Sequence, residues 1–536
     1  MERTPPKLPA ISKEELTPLV LNLLEIISQQ QEQLHWQQEQ IQALKDEIAR
    51  LKGQKPRPEI KPSKLEREPA AKGKRGNDSK RPGSAKRKKT RKLKIHKTVV
   101  IRPEEVPEGS RFKGYQDFTV QDIVLRPHNT RYRLQRWQTP EGRYIVAQLP
   151  AGVSVGHLGA TLVSFILYQY YHAHVTQPLI LEQLWDFGVD ISSGQINRII
   201  TEGKECFHAE KEDILRVGLE VSGHVHVDDT GARHQGKTGY CTHIGNELFA
   251  WFKSTSSKSR VNFLEILRGE EGDYLLSDDA LDYMRAHKLS KSKLEEIAGH
   301  HGKRFEDKEQ WEACLAALGV TRKQDVRIAT EGALLGSVLS HGINSDLAIV
   351  SDDAGQFDVL RHALCWIHAE RTIVRLVGFS DLQRKAIASV RKQIWNFYKA
   401  LKAYQKSPSA RKKTRLERRF DTIFKQKTSF VTLNYILEGI HKNKSELLLV
   451  LERPDIPLHN NLSERDIREY VKKRKISGST RSDLGRRCRD TFTSLKKTCR
   501  KLGVSFWLYL KDRVSGSHNI ALLPEMIRQR ALEAKV

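Results

Sequence analysis

The sequence lacks any run of about 18 apolar residues, so nothing in it reads as a transmembrane helix. The longest candidate, Leu158 to Tyr171, is short and broken by Gly, Ser and Gln. The first residues, MERTPPKLPA, have no apolar stretch of the kind a secretory leader needs. The six cysteines (Cys206, Cys241, Cys314, Cys365, Cys488, Cys499) are scattered and form no CxxC pair. That spacing argues against a disulfide framework and an ordinary zinc ribbon. Acid is the remaining shortage: 65 Asp and Glu stand against 92 Lys and Arg, a net charge of +27. This excess favours a polyanionic partner, nucleic acid before an anionic membrane surface. Together these absences predict a reduced, cytosolic protein that acts on nucleic acid and does not enter a membrane.

What is present is material for a core. The chain has 536 residues, 38% of them hydrophobic, enough for three or four domains at roughly 100–200 residues each. Residues 16–51 carry a heptad, with Val20, Ile27, Leu34, Ile41 and Ile48 at one seam position and Leu16, Leu23, Leu44 and Leu51 at the other. The pattern predicts a coiled coil over 1–52 that joins two copies of the chain; an amphipathic helix packed on the protein's own body is the alternative. Residues 53–97 hold 18 Lys and Arg against four acids and include Lys86, Arg87, Lys88 and Lys89. Such a composition builds no core and reads as a flexible linker with sequence-blind phosphate affinity.

Residues 98–150 alternate in strand fashion and suggest a small β-rich module. Residues 151–220 turn helical, and LEQLWDFGVDISSGQINRII reads as helix, turn, helix. Gly188 falls at the turn, Ser192 or Ser193 is the expected N-cap, and Gln195, Asn197 and Arg198 are candidate DNA contacts; plain helical packing would give the same pattern. A catalytic domain is expected over 221–480, with helical insertions at about 260–340 and 375–450, and a helical region over 481–536. Within it GYCTHIGNELFAWFKS predicts two strands joined near Asn246.

Twice an apolar strand runs straight into acid: Val225-His226-Val227 into Asp228-Asp229, and Ile349-Val350-Ser351 into Asp352-Asp353. Carboxylates at strand ends suit a hard divalent cation, which takes oxygen ligands and keeps its waters. Two such ions about 3.5–4 Å apart serve phosphodiester chemistry. Each motif alone is also an ordinary turn signal. A third acid, Glu464, opens a helix after Asn460 and Asn461, with Arg465, Arg468 and Lys472 following as candidate phosphate contacts. By spacing alone this stretch reads first as a surface helix with Glu–Arg pairs.

Asp-Asp-Thr-Gly after a strand, Ser-Asp-Asp-Ala-Gly-Gln-Phe followed by Cys365-Trp366-Ile367-His368, and then Asn-Asn-x-x-Glu-Arg together resemble the IS66 family of bacterial transposases. The coiled-coil start, the basic stretch and LPAGVSVGHLGATLVSFILYQYY before the Gly-Val-x-Ile-Ser helix resemble that family's N-terminal half. The resemblance implies an α/β, RNase H-like mixed sheet with a DDE triad at Asp228, Asp352 and Glu464. It also implies two bound Mg²⁺ (or Mn²⁺) ions, double-stranded DNA as partner, accessory proteins of the same element, and a cytoplasmic, nucleoid-associated location. Cys365 and His368, with Asn460 and Asn461, are expected as structural motif residues and Trp366 as core. The chain departs from the family in three places. Asp229 and Asp353 stand where Glu and Gly are usual, no cysteine-rich zinc module precedes the catalytic domain, and the stretch between the first two acids is longer. The rival expectations are a catalytically silent DNA-binding derivative, an RNase H-like nuclease that cuts without joining, and a coiled-coil scaffold that binds RNA.

Overall fold

A computed structural model describes residues 94–150, 157–378 and 380–534, with the single positions Val20 and Gln30. Apart from those two positions, the expected coiled coil and most of the basic linker, Lys86 to Lys89 included, lie outside the described residues. The chain divides into two compact units, residues 1–118 and 119–536. In the first, residues 94–118 are exposed and carry no helix or strand.

The β-rich expectation for 98–150 shrinks to one pair. β1 (Arg136–Gln138) runs antiparallel to β2 (Tyr144–Val146), and the described stretch forms no other strand. The cause is the absence of a covering layer. Alternation stabilises a strand only when one face is buried, and Val99, Val100, Ile101, Trp137 and Ile145 are all exposed.

Helices α1 (Ala160–Leu167), α2 (Gln177–Asp186), α3 (Ser193–Thr201) and α4 (Glu205–Val221) follow, with a π-helical turn Tyr168–His172 continuing α1. Between α2 and α3, Gly188 has φ +78°, a conformation open to a residue without Cβ. Ser192 is the N-cap of α3.

The sheet is built next. β3 (His224–Gly231), β4 (Tyr240–Gly245) and β5 (Ala250–Thr255) form an antiparallel meander whose second turn begins at Asn246, where the sequence puts it. The first insertion holds α5 (Arg260–Arg268), β6 (Tyr274–Leu275), α6 (Asp278–Ala286), α7 (Lys291–Ala298), β7 (Arg304–Phe305), α8 (Lys308–Ala317) and α9 (Lys323–Ser340). It is not helical throughout, because β6 and β7 pair while Tyr274 and Phe305 pack on Trp311 at 5.8 and 5.2 Å between ring centres. β8 (Ala348–Ser351) and β9 (Arg361–Leu364) complete a five-stranded mixed sheet in the order β5-β4-β3-β8-β9, with β3, β8 and β9 parallel.

The second insertion consists of α10 (Trp366–Val374), α11 (Asp381–Lys406), α12 (Ala410–Phe424), α13 (Val431–Lys442) and the short α14 (Lys444–Leu447). It closes a core of its own around Trp366, Phe397, Phe420 and Leu437. Helices α15 (Asn461–Ser477), α16 (Asp483–Lys501), α17 (Phe506–Ser515) and α18 (Leu523–Glu533) end the described chain. The main core joins Val225 and Val227 of β3 to apolar faces of α4, α9 and α17. α16 is fastened to β5 by polar groups: Ser494 Oγ accepts from the Phe252 N–H at 2.9 Å and Asp490 from the Ser254 N–H at 2.7 Å. Among the described residues no helix is long and apolar enough to cross a membrane.

Candidate active site

β3 alternates strictly. Val225 and Val227 enter the main core, so His224, His226 and Asp228 point to the other face. The β3–β8 register pairs His226 with Val350, which sets Asp228 and Asp352 level, each two residues further on. Asp228 is half-buried, and burial first, then the neighbouring Asp352 charge, pushes its carboxyl up to about 7. Asp352 Oδ1 is buried without a hydrogen-bond partner.

The neighbouring acids have hydrogen-bond partners of their own. Asp229 accepts from Thr242 Oγ1 at 2.6 Å and from Gln356 Nε2 at 3.0 Å. Asp353 is exposed and accepts from Asn443 Nδ2 at 3.1 Å. Glu464 lies in the first turn of α15, where the helix dipole favours a carboxylate. Its Oε1 accepts from Arg371 Nη1 at 3.3 Å and stands 3.5 Å from His368 Nε2. Asp352, His368 and Arg371 line one cleft, with Arg375 and Asn443 further along its wall.

Asn460 ties the elements beneath these acids together. Its side chain is almost fully buried; Nδ2 donates to the Val227 carbonyl at 2.7 Å and Oδ1 faces His226 Nδ1 at 3.0 Å. Its backbone N–H donates to Cys365 Sγ at 3.2 Å. Cys365 in turn donates its N–H to the Ser351 carbonyl at 2.9 Å, and burial raises its thiol pKa. Asn461, at the first position of α15, is exposed. Trp366 is core, with Nε1 donating to the Leu447 carbonyl at 2.9 Å. Burial lowers the His226 pKa to about 3, so its ring is neutral at ordinary pH.

Ser463 does not cap α15; Asn460 stands at the N-cap. The Ser463 hydroxyl turns inward to His243 Nδ1 at 2.6 Å. One turn on, Asp466 is buried against Lys497 at 2.9 Å and Lys501 at 2.7 Å. Burial opposes ionisation there, but His243 and the two lysines prevail and hold the carboxyl far below its usual range. The inner face of α15 therefore sets this buried ionic group beside the apolar Ile467 and Tyr470.

Of the residues predicted to touch DNA, Arg465, Arg468 and Lys472 are exposed along α15. Asn197 and Arg198 are exposed on α3. Gln195 is half-buried and closes a capping box: its Oε1 accepts from the Ser192 N–H at 2.8 Å while its own N–H donates to Ser192 Oγ at 3.2 Å. Arg371 escaped the sequence reading. Its position one helical turn after His368 is the signal that could have found it.

Mixed strand directions, two level acids at the ends of parallel strands and a third on a helix beside them define a class: an α/β protein with an acidic cleft walled by arginine. Comparison with known proteins gives the family. A family profile described as Transposase IS66 family matches residues 350–487, a span that includes Asp352, Cys365, His368 and Glu464 and begins after Asp228. The chain is also 43% identical over 321 residues to the uncharacterized protein y4jO of Sinorhizobium fredii (strain NBRC 101917 / NGR234), a match covering 59% of this chain and 100% of that protein. The chain belongs to the IS66 family of transposases.

Proposed function

We propose that the protein binds the inverted-repeat ends of its insertion sequence and cuts and joins DNA there, using Asp228, Asp352 and Glu464 as a DDE triad. The carrying observation is the register that sets Asp228 and Asp352 level on adjacent parallel strands, with Glu464 against His368 and Arg371 of the cleft that Asp352 lines. A meander of three antiparallel strands extended by two parallel ones is the arrangement expected of an RNase H-like sheet, which supports that reading of the fold.

The residues fit Mg²⁺ or Mn²⁺. A buried carboxylate oxygen without a partner and a carboxyl pushed up by burial and then by its neighbour's charge are both relieved by a cation. When bound, such ions make the attacking oxygen more acidic and offset charge on the phosphate.

The chain's own groups supply position. Arg371 and Arg375 on the cleft wall and the exposed Arg465, Arg468 and Lys472 hold phosphates. Asp229 is held by Thr242 and Gln356, and Asp353, beside Asp352 in the cleft, by Asn443. Water cuts the phosphodiester at the element end and the freed 3′-hydroxyl attacks target DNA. No side chain becomes attached to DNA.

Around this centre, α2 and α3 engage the ends through Asn197 and Arg198, and the basic run Lys86 to Lys89 adds sequence-blind affinity. The heptad over 16–51 pairs two copies, and proteins of the same element assist. The test is Mg²⁺-dependent cleavage and strand transfer on DNA carrying the element ends, wild type beside Asp228→Asn and Asp229→Asn. The proposal requires that wild type cut and join and that only the Asp228 variant lose both while still binding DNA. Wild type that binds without cutting, with the element's other proteins added, would overturn it.

A further inference from the structure

On the same face of β3 as Asp228, but outside the acidic cleft, stands a group that the reaction does not use. A ring nitrogen each from His224 and His226 and a carboxylate oxygen of Glu247, in the β4–β5 turn, all lie within 4.8 Å of one another. His224 Nε2 stands 3.9 Å from Glu247 Oε2. That is too long for a hydrogen bond, and His224 Nε2 is buried with no other hydrogen-bond partner. A buried ring nitrogen left unpaired costs free energy unless something occupies its lone pair or takes its proton. The nearby Arg453 does not supply that partner. Its guanidinium is spent on Asp455 at 2.9 and 2.8 Å and on backbone carbonyls.

The His226 ring is already set for a metal. Asn460 Nδ2 must be the amide nitrogen because it donates to the Val227 carbonyl at 2.7 Å. Asn460 Oδ1 is then the oxygen facing His226 Nδ1 at 3.0 Å, so Nδ1 carries the proton. The lone pair is left on Nε2. A ligating histidine whose other nitrogen donates to a fixed carbonyl oxygen is the usual arrangement at protein-bound transition metals.

We propose that His224, His226 and Glu247 form a binding site for a borderline divalent transition-metal ion of the Zn²⁺ type, distinct from the acidic cleft. Two imidazoles and one carboxylate match that class of ion and are the wrong donors for Mg²⁺. Glu247 is 66% exposed on its side chain and closes over His224 without disturbing the core. The bound ion staples the β4–β5 turn to β3. Through the Nδ1–H of His226 it also fixes Asn460, the N-cap of the helix that carries Glu464.

The test uses full-length, untagged protein stripped of metal and needs no catalysis. Titrated with Co²⁺, wild type should develop visible d–d bands at one equivalent, and Zn²⁺ should abolish them and raise Tm. Glu247→Gln and His224→Asn, both of which leave the buried His226 and its bond to Asn460 in place, should keep the wild-type fold by circular dichroism and weaken Co²⁺ binding roughly tenfold or more. Asp228→Asn and Asp352→Asn should bind Co²⁺ at this site as wild type does, so failure of the triad assignment leaves this result standing. Wild type without a d–d band, or bands that survive in the Glu247→Gln, His224→Asn double variant, would overturn the proposal.

Discussion

The backbone N–H of Asn460 donates to the sulfur of Cys365, 95 residues earlier in the chain, at 3.2 Å. Through that bond and the two made by the Asn460 side chain, the strand before Asp228, the turn before α10 and the first turn of α15 share one buried anchor. None of the three acids is held by its own element alone.

Asn460→Ala should therefore damage both fold and site. It leaves the Val227 carbonyl and the His226 Nδ1–H unpaired in the interior, at about 1–3 kcal/mol for each buried group left without a partner. A fall in urea midpoint of that order is expected, with DNA cleavage reduced more than DNA binding. Cys365→Ala loses one weak acceptor and should cost less. An Asn460→Ala variant as stable as wild type would show that the anchor does not act as described.

Asp228 gives the metal-free protein a pH dependence of definite sign. Its carboxyl is raised to about 7 in the fold from 3.8, by burial first and Asp352 second. The folded chain thus binds the proton more tightly than the unfolded one. Stability from this group is complete below about pH 4 and drains away as pH rises towards 7. In EDTA at pH 7.5, Asp228→Asn should melt above wild type, and Mg²⁺ should raise the Tm of wild type but not of the variant. Cleavage should fall by about 10²-fold or more, the scale of losing one preorganised charge-stabilising group.

The strand ends at Asp228 and Asp352 and the helix start before Glu464 were legible because each follows a local signal: an apolar run that stops at acid, or a polar loop that opens a helix. The meander and its Asn246 turn were legible for the same reason. Asn460 was visible as part of a motif, but its role was not, because its partners His226 and Val227 are 234 and 233 residues away. The buried Asp466–Lys497–Lys501 layer was hidden, since charges at helical spacing look alike whether they face water or one another. Residues 98–150 misled in the opposite direction, alternating like strands with nothing to cover them.

Arg371 couples the cleft wall to the third acid. Its contact with Glu464 is at 3.3 Å with the arginine side chain 45% exposed, a setting in which an ion pair contributes about 0–1 kcal/mol. Arg371→Gln should leave the unfolding free energy within about 0.5 kcal/mol of wild type. If the arginine holds a phosphate, the slope of log affinity against log salt should shrink by about one. An unchanged slope would remove Arg371 from the DNA path.

Lys473, on the inner face of α15, is 3% exposed, and its ammonium meets no carboxylate within ion-pair distance among the described residues. Its Nζ donates to the Tyr170 carbonyl at 2.9 Å and lies 3.5 Å above the Tyr170 ring. Burial first, then Arg489 and Lys496, lowers its pKa to about 7 from 10.5. Between those values the unfolded chain holds a proton that the folded chain has released, so stability from this group rises from pH 7 to about 10.5. Lys473→Met removes the buried charge and keeps the volume, at the cost of leaving the Tyr170 carbonyl without its donor, and these effects oppose each other. At pH 7 the variant should lie within about 1 kcal/mol of wild type. From pH 7 to 9.5 wild type should gain on the variant, read as a widening difference in urea midpoint. A constant difference across that range would mean that Lys473 keeps its proton in the fold, held by the Tyr170 carbonyl and ring against burial.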